Sequence, residues 1–343
     1  MKKVLELAEN GYLPDMAIRT GIRRLNRMRL LRESHGGCES AYKRQLQVIE
    51  ELAKSPIAIS TEKANEQHYE VPPLFFRKVL GERLKYSCCL FEDGLESLSR
   101  GEEKMLELVC ERAKVKDGQK ILDLGCGWGS LTLWLAEHYP NAQICSLSNS
   151  KPQRSFIEEK CQSLAYSNVR VITADINDVD LEESFDRIIS IEMFEHMRNY
   201  GRLFAKLRPW LEEDGRLFVH IFCHRSYTYT FETSSDSDWM GRHFFTGGLM
   251  PSEDLFYHFQ RDLIAEKRWR LSGLHYAKTA EAWLENLDRE KDSILEIFKE
   301  LYGHSVAEKW FQRWRIFFMA CAELFGYGEG NEWWVAHYLF SRR

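Results

Sequence analysis

A chain of 343 residues with 44% hydrophobic content and a formal net charge of −5 buries a large core and lacks the basic surplus of a general nucleic-acid binder. Its nine cysteines are scattered, and the adjacent pair Cys88-Cys89 lacks C-x-x-C spacing, so neither a disulfide framework nor a zinc site follows. No apolar run has the length of a secretory core or a membrane span, and the expected location is cytoplasmic.

Residues 1 to about 60 are expected to be helical. Ile18, Ile22, Leu25 and Met28 fall on one face, while Arg19, Arg23, Arg24, Arg27, Arg29 and Arg32 are spread around the rest. Such a basic helix suits an anionic lipid surface or an acidic partner. It reads first, however, as a docked surface helix with solvated arginines, since its opposite face is short of the large aromatics that anchor an interfacial helix. From Glu66 to Gly94, His68-Tyr69, Phe75-Phe76 and Tyr86-Ser87-Cys88 are too aromatic for a linker and read as a cap over a pocket, with Pro72-Pro73 fixing a turn. Leu98 to Ala113 repeats apolar residues at helical spacing, and Lys116-Asp117-Gly118 turns the chain toward a strand.

That strand, Ile121 to Leu124, opens the stretch ILDLGCGWGS, and the helix after it carries Thr132 to Ala136 and ends near Tyr139-Pro140. Gly125, Gly127 and Gly129 lie between, where the absence of Cβ atoms lets the backbone turn tightly against a ligand. The spacing is G-x-G-x-G rather than the dinucleotide G-x-G-x-x-G, so the ligand need not carry a diphosphate.

The pattern then alternates. Strands are expected at Gln143 to Leu147, Val169 to Ala174, Arg187 to Ile191 and Arg216 to Phe222, with a helix over Lys151 to Leu164. Ligands of such sheets gather at the carboxyl ends of the strands, where Ser148-Asn149-Ser150, Asp175-Ile176-Asn177, Glu192 to His196 and Cys223-His224 stand. Residues 224 to about 325 break the rhythm and read as a helical cover, with long helices over Thr279 to Leu301 and Val306 to Phe325. Trp239, Phe244, Phe245 and Tyr257 suggest an aromatic-lined pocket within it, and aromatic faces attract cations. The same four residues serve equally well as ordinary core. Trp333 to Phe340 supplies a final strand.

In family order, QHYEVP, LKYSCCLF, LDLGCGWGS, SLSNSKPQ, TADI, SIEMFEHM, LFVHIFCH, FFTGGLMPS and GLHYAKTAEAWL cover nearly the whole chain. Together they resemble the cyclopropane fatty acid synthase superfamily of class I S-adenosylmethionine (SAM) methyltransferases, and within it the coclaurine N-methyltransferase-like branch. The resemblance implies an α/β fold: a seven-stranded Rossmann-like methyltransferase sheet with an N-terminal helical cap and a helical lid insertion. The expected division is 1–95 cap, 96–223 SAM-binding core, 224–325 lid and 326–343 final core strand. It further implies Tyr86 and Ser87 against the methionine moiety of SAM, with Gly125 under its carboxylate and Gly127 in the same loop. Asn149 and Gln153 would hold the ribose, and Asp175 with Ile176 the adenine edge; Asp175 could equally serve as a helix cap.

Glu192, Glu195 and His196 are the expected catalytic residues. If IEMFEHM turns helical, Glu192 faces both others, and a carboxylate beside an imidazole orients it as a base. Amine methylation needs such a base, because a protonated alkylamine has no lone pair with which to attack a sulfonium methyl. The spacing is neither H-E-x-x-H nor E-x-x-H, so no metal is expected. On the lipid side of the superfamily a bicarbonate site assists proton removal, and the matching positions are Cys88, Glu195, His220 and Tyr276. That leaves methyl or methylene transfer to an unsaturated acyl lipid as the alternative, the one reading under which membrane contact is expected. Against it stands Glu192, where the lipid enzymes usually carry glycine. The expected partner is a small-molecule amine and no nucleic acid; oligomeric state is not legible.

Overall fold

The structure is a computed structural model that describes residues 2–59, 71–92, 97–234 and 238–343. Residues 67–70 of the QHYEVP motif, with His68-Tyr69, lie outside the described residues, as do 235–237.

The chain alternates strands and helices as its hydropathy predicts. In order the strands are β1 Lys120–Leu124, β2 Gln143–Ser148, β3 Val169–Thr173, β4 Phe185–Ile191, β5 Leu211–His224, the short β6 Tyr229–Thr230 and β7 Leu249–Met250, then β8 Leu263–Leu271 and β9 Trp333–Arg342. Seven form one sheet in the order β3-β2-β1-β4-β5-β9-β8, and β6 pairs with β7 in a small separate ribbon. Strands β1 to β5 run parallel, whereas β9 is antiparallel to both β5 and β8. This is the seven-stranded sheet that the resemblance implies. Strand β1 lies between β2 and β4, so the strand order reverses there and opens a crevice at the carboxyl ends.

Local chemistry explains the parallel strands. Ile121, Leu122 and Leu124 are fully buried because helices cover both faces of a parallel sheet. Asp123 sits in the same run. Burial raises its carboxyl to about 7, and the Thr132 hydroxyl donates to it at 2.6 Å from the helix after the glycine loop.

Two expectations need correction. The cover over 224–325 is not all helical, because Leu263–Leu271 is the edge strand of the main sheet. The helical part is Gly273–Arg289, Lys291–Tyr302 and Ala307–Phe325, with the first expected helix broken at Glu290. In the N-terminal helix Asp15–Glu33, Leu25 and Met28 are exposed; the inward face carries Ile18 and Asn26. Nor are all its arginines solvated. Arg19 grips both oxygens of Glu281, at 2.5 and 2.7 Å, and Arg23 reaches Glu323 at 3.0 Å. The N-terminal helix is thereby fastened to the helices above the crevice. A further helix, Gly37–Lys54, is held from the sheet side, where the Asn199 side chain donates to the Ala53 and Ser55 carbonyls at 2.8 and 2.9 Å.

Candidate active site

The crevice at the ends of β1, β2 and β4 is a cavity lined by all eight residues expected to bind cofactor: Tyr86 and Ser87, Gly125 and Gly127, Asn149 and Gln153, Asp175 and Ile176. Each arrives by a local device. Glu102, fully buried in the helix Leu98–Arg112, accepts backbone N–H groups from Gly81, Arg83 and Lys85 at 2.8 to 3.1 Å and so fixes the loop that delivers Tyr86 and Ser87. Burial drives its carboxyl up to about 7 despite those three bonds. Lys85 is itself buried, with its ammonium on Ser87 Oγ at 2.6 Å and the Cys88 carbonyl at 2.7 Å.

At the glycine loop, Gly125 has φ +86°, and a Cβ there would stand 2.8 Å from the Met193 side chain. Gly127, with φ +51°, would instead project a Cβ into open space at the cavity wall. Ser148 Oγ donates to Gln153 Oε1 at 2.6 Å, which turns the amide so that Nε2 is left as a donor. Asp175 Oδ1 accepts from the backbone and side chain of Asn177, at 2.8 and 2.9 Å, so this carboxylate caps a turn and not the helix of its alternative reading, since no helix starts there.

Three buried polar atoms along the cavity lack a partner among the described residues: Trp128 Nε1, Ser130 Oγ and Gln153 Nε2. Buried donors without acceptors are costly, and a ribose, carboxylate or adenine edge would satisfy them. The residues present therefore fit SAM. Trp128 and Ser130 both stand in the GCGWGS string, where glycine spacing gives no signal for either.

Beyond the cofactor cavity lies a second, largely aromatic one. Tyr86, Glu192 and His196 line both and form the boundary between them. Phe245 lines this second cavity together with Phe222, Phe231, Phe317 and Trp283. The other aromatics expected there do not. Phe244 is core, stacked on Phe317 with centroids 4.4 Å apart; Trp239 is buried with its indole N–H on Glu9; Tyr257 is 40% exposed.

The segment after β4 is not an α-helix. Only Phe194–His196 forms a short 3-10 turn, and Glu192 takes a left-handed backbone with φ +48°. The helical reason for a shared face of Glu192, Glu195 and His196 therefore fails, although all three side chains line the second cavity. Glu192 is held by residues assigned to the bicarbonate alternative. Its Oε1 accepts the Cys88 backbone N–H at 2.9 Å and lies 3.2 Å from His220 Nε2, and its Oε2 accepts the Tyr276 hydroxyl at 2.5 Å. A non-glycine residue with positive φ is held there at a cost of about 1 kcal/mol or more, so the carboxylate rather than the backbone accounts for its presence.

Glu195, the fourth member of the bicarbonate set, stands apart. It is 1% exposed, and neither carboxyl oxygen has a partner among the described residues. Burial, and then the negative charge of Glu192, raise its pKa well above the ordinary carboxylate value. Burial likewise keeps Cys88 a thiol. At the other strand ends, His224 is structural: its Nδ1 accepts the Ser226 and Tyr227 backbone N–H groups at 2.9 Å, and burial lowers its pKa to about 3. No cluster of metal-binding side chains occurs among the described residues, and no helix among them is long and apolar enough to cross a membrane.

A parallel sheet reversed at β1, a glycine loop and unsatisfied donors at the strand ends define a SAM-dependent methyltransferase of class I. More narrowly, the chain belongs to the mycolic acid cyclopropane synthetase family, whose model matches residues 58–333. It is 39% identical to the (S)-coclaurine N-methyltransferase of Thalictrum flavum subsp. glaucum, over 99% of this chain and 96% of the relative. Identity to the (S)-coclaurine N-methyltransferase of Papaver somniferum is 36%, over 100% and 98%. Among solved structures, a coclaurine N-methyltransferase bound to N-methylheliamine and SAH superposes with a TM-score of 0.95 at 37% identity, covering 99% of both chains.

Proposed function

We propose that the protein transfers the SAM methyl group to the nitrogen of a small amine with aromatic rings. The observation that carries this reading is the position of Glu192. Its carboxylate fills the set of donors, Cys88 N–H, His220 and Tyr276, in which a lipid-modifying relative would hold bicarbonate. A carboxylate at the boundary of the two cavities suits a cationic acceptor and gives nothing to an apolar alkene. Relatives spanning the whole chain that are coclaurine N-methyltransferases support the same conclusion.

When bound, SAM supplies an electrophilic sulfonium methyl. Tyr86, Ser87, Gly125, Gly127, Asn149, Gln153, Asp175 and Ile176, with Trp128 and Ser130, are the residues that would hold it. The chain does the rest. Aromatic walls take the hydrophobic part of the amine and offer their faces to its charge. His196, which is only half-buried, takes the ammonium proton and passes it to solvent, freeing the nitrogen lone pair. Glu195 accepts a hydrogen bond from the nitrogen, which gives its unpartnered carboxyl oxygens a function. Glu192 balances the positive charge that gathers on the alkylated nitrogen.

Incubation with methyl-labelled SAM and either cyclic secondary amines or vesicles of unsaturated phospholipid tests this. Label in the amine fraction is the expected result. Label in extracted lipid would replace this reading with acyl-chain modification, and bound but unreacted SAM with both substrates would show that neither is the acceptor.

A further inference from the structure

Behind Glu192 runs a buried polar chain that the chemistry above leaves unused. His220 on β5 and His337 on β9 stand directly opposite in antiparallel register, and both are fully buried. His337 Nε2 lies 2.8 Å from His220 Nδ1, whose other nitrogen faces Glu192. At the far end Arg112, the last residue of its helix, places Nη1 at 3.0 Å from His337 Nδ1, with its guanidinium over the Trp269 ring.

A neutral imidazole has one donor nitrogen and one acceptor, and a guanidinium only donates. His337 Nδ1 must therefore accept from Arg112, and its proton lies on Nε2. That proton is aimed at His220 Nδ1, which accepts in turn. The His220 proton then lies on Nε2 and points at Glu192. The opposite order would set two N–H groups against each other beside Arg112, each buried and unpaired. Burial keeps both rings neutral, since their pKa values fall well below the ordinary value.

The chain does not export the substrate proton, because it ends on a group that does not deprotonate. What it delivers is orientation. If His220 carried its proton on Nδ1, its Nε2 lone pair would face Glu192 Oε1, and the contact would require a protonated Glu192. The negative charge between the two cavities would be lost.

We propose that Arg112 and His337 are positioning residues which, through His220, set the tautomer that presents an N–H to Glu192 and so hold its side chain as a carboxylate. This rests on the role given to Glu192 above, but the first test does not depend on activity. In the full chain with 15N-labelled histidine at pH 7, long-range 1H–15N correlation should show His220 and His337 neutral and protonated on Nε2, with His337→Gln used to assign His337. A proton on Nδ1 of either ring, or a doubly protonated ring, would overturn the proposal whether or not the protein methylates an amine. Next, Arg112→Met should lower kcat for the amine about tenfold, the scale of one hydrogen bond to a charged group, with SAM affinity unchanged. His337→Gln, whose amide both accepts and donates, should retain more kcat than His337→Leu. Equal kcat in Arg112→Met and wild type, or equal losses in the two His337 variants at equal melting temperature, would remove the positioning role.

Discussion

Tyr276 and Glu192, 84 positions apart in sequence, meet through a hydroxyl-to-carboxylate hydrogen bond of 2.5 Å at the edge of the second, largely aromatic cavity. Burial raises the Glu192 pKa above the ordinary carboxylate value, and the Lys85 charge, the Cys88 N–H and this bond pull against that rise. Tyr276→Phe should therefore raise the Glu192 pKa, because the carboxylate loses a donor while its desolvation remains. The acid limb of the pH–kcat profile should move to higher pH, with a loss of roughly tenfold near that limb, as expected for a hydrogen bond to a charged group. An acid limb that stays in place would show that Glu192 does not titrate in the rate-limiting step.

His196→Ala should lower turnover of the amine by about a hundredfold or more, the usual scale for losing a general base. SAM affinity should change little, and calorimetry on the same variant checks that. Raising the pH should recover part of the loss, since solvent then supplies more free amine. A variant as slow at high pH as at neutral pH would take this histidine out of proton removal.

Acid stability should report the docking of the N-terminal helices. Burial of Glu9 alone would raise its pKa, but bonds to Arg313, Trp239 and Lys309 outweigh that and bring it down to about 2 from the ordinary 4.5. Between those values the folded state binds fewer protons than the unfolded chain. The stabilisation is thus full above pH 4.5 and is lost as pH falls toward 2. Glu9→Gln should lower the melting temperature at pH 7, and the gap to wild type should close in acid. A gap that persists unchanged near pH 2 would contradict the assignment.

Much of the frame was legible because parallel strands are buried on both faces and read as continuous apolar runs, as at Ile121, Leu122 and Leu124. The cofactor edge followed from the rule that places ligands at strand ends. Strand β8 stayed hidden for the opposite reason. An edge strand wet on one side, LIAEKRWRL carries four charges in nine residues and lacks the expected alternation. Spacing alone could not reveal that Glu192 turns away on a left-handed backbone, since helical periodicity assumes the helix it is used to find. Nor could it pair His220 with His337, 117 residues apart, because register between distant strands depends on the whole sheet. Lys85, buried beside Ser87, gave no signal beyond its place in the LKYSCCLF string.

Under the proposed function, Glu192 is a built-in replacement for a bound anion. Replacing it with glycine removes the carboxylate, suits the left-handed backbone and leaves the Cys88, His220 and Tyr276 donors around an open space. The decisive measurement is labelled-methyl transfer to a secondary amine by wild type and Glu192→Gly, each with and without added formate or bicarbonate. Wild type should ignore the anion, while the variant should be slow without it and regain part of its rate with it. A variant that turns over at the wild-type rate without anion, or one that binds SAM normally and gains nothing from either anion, would contradict the role assigned to Glu192.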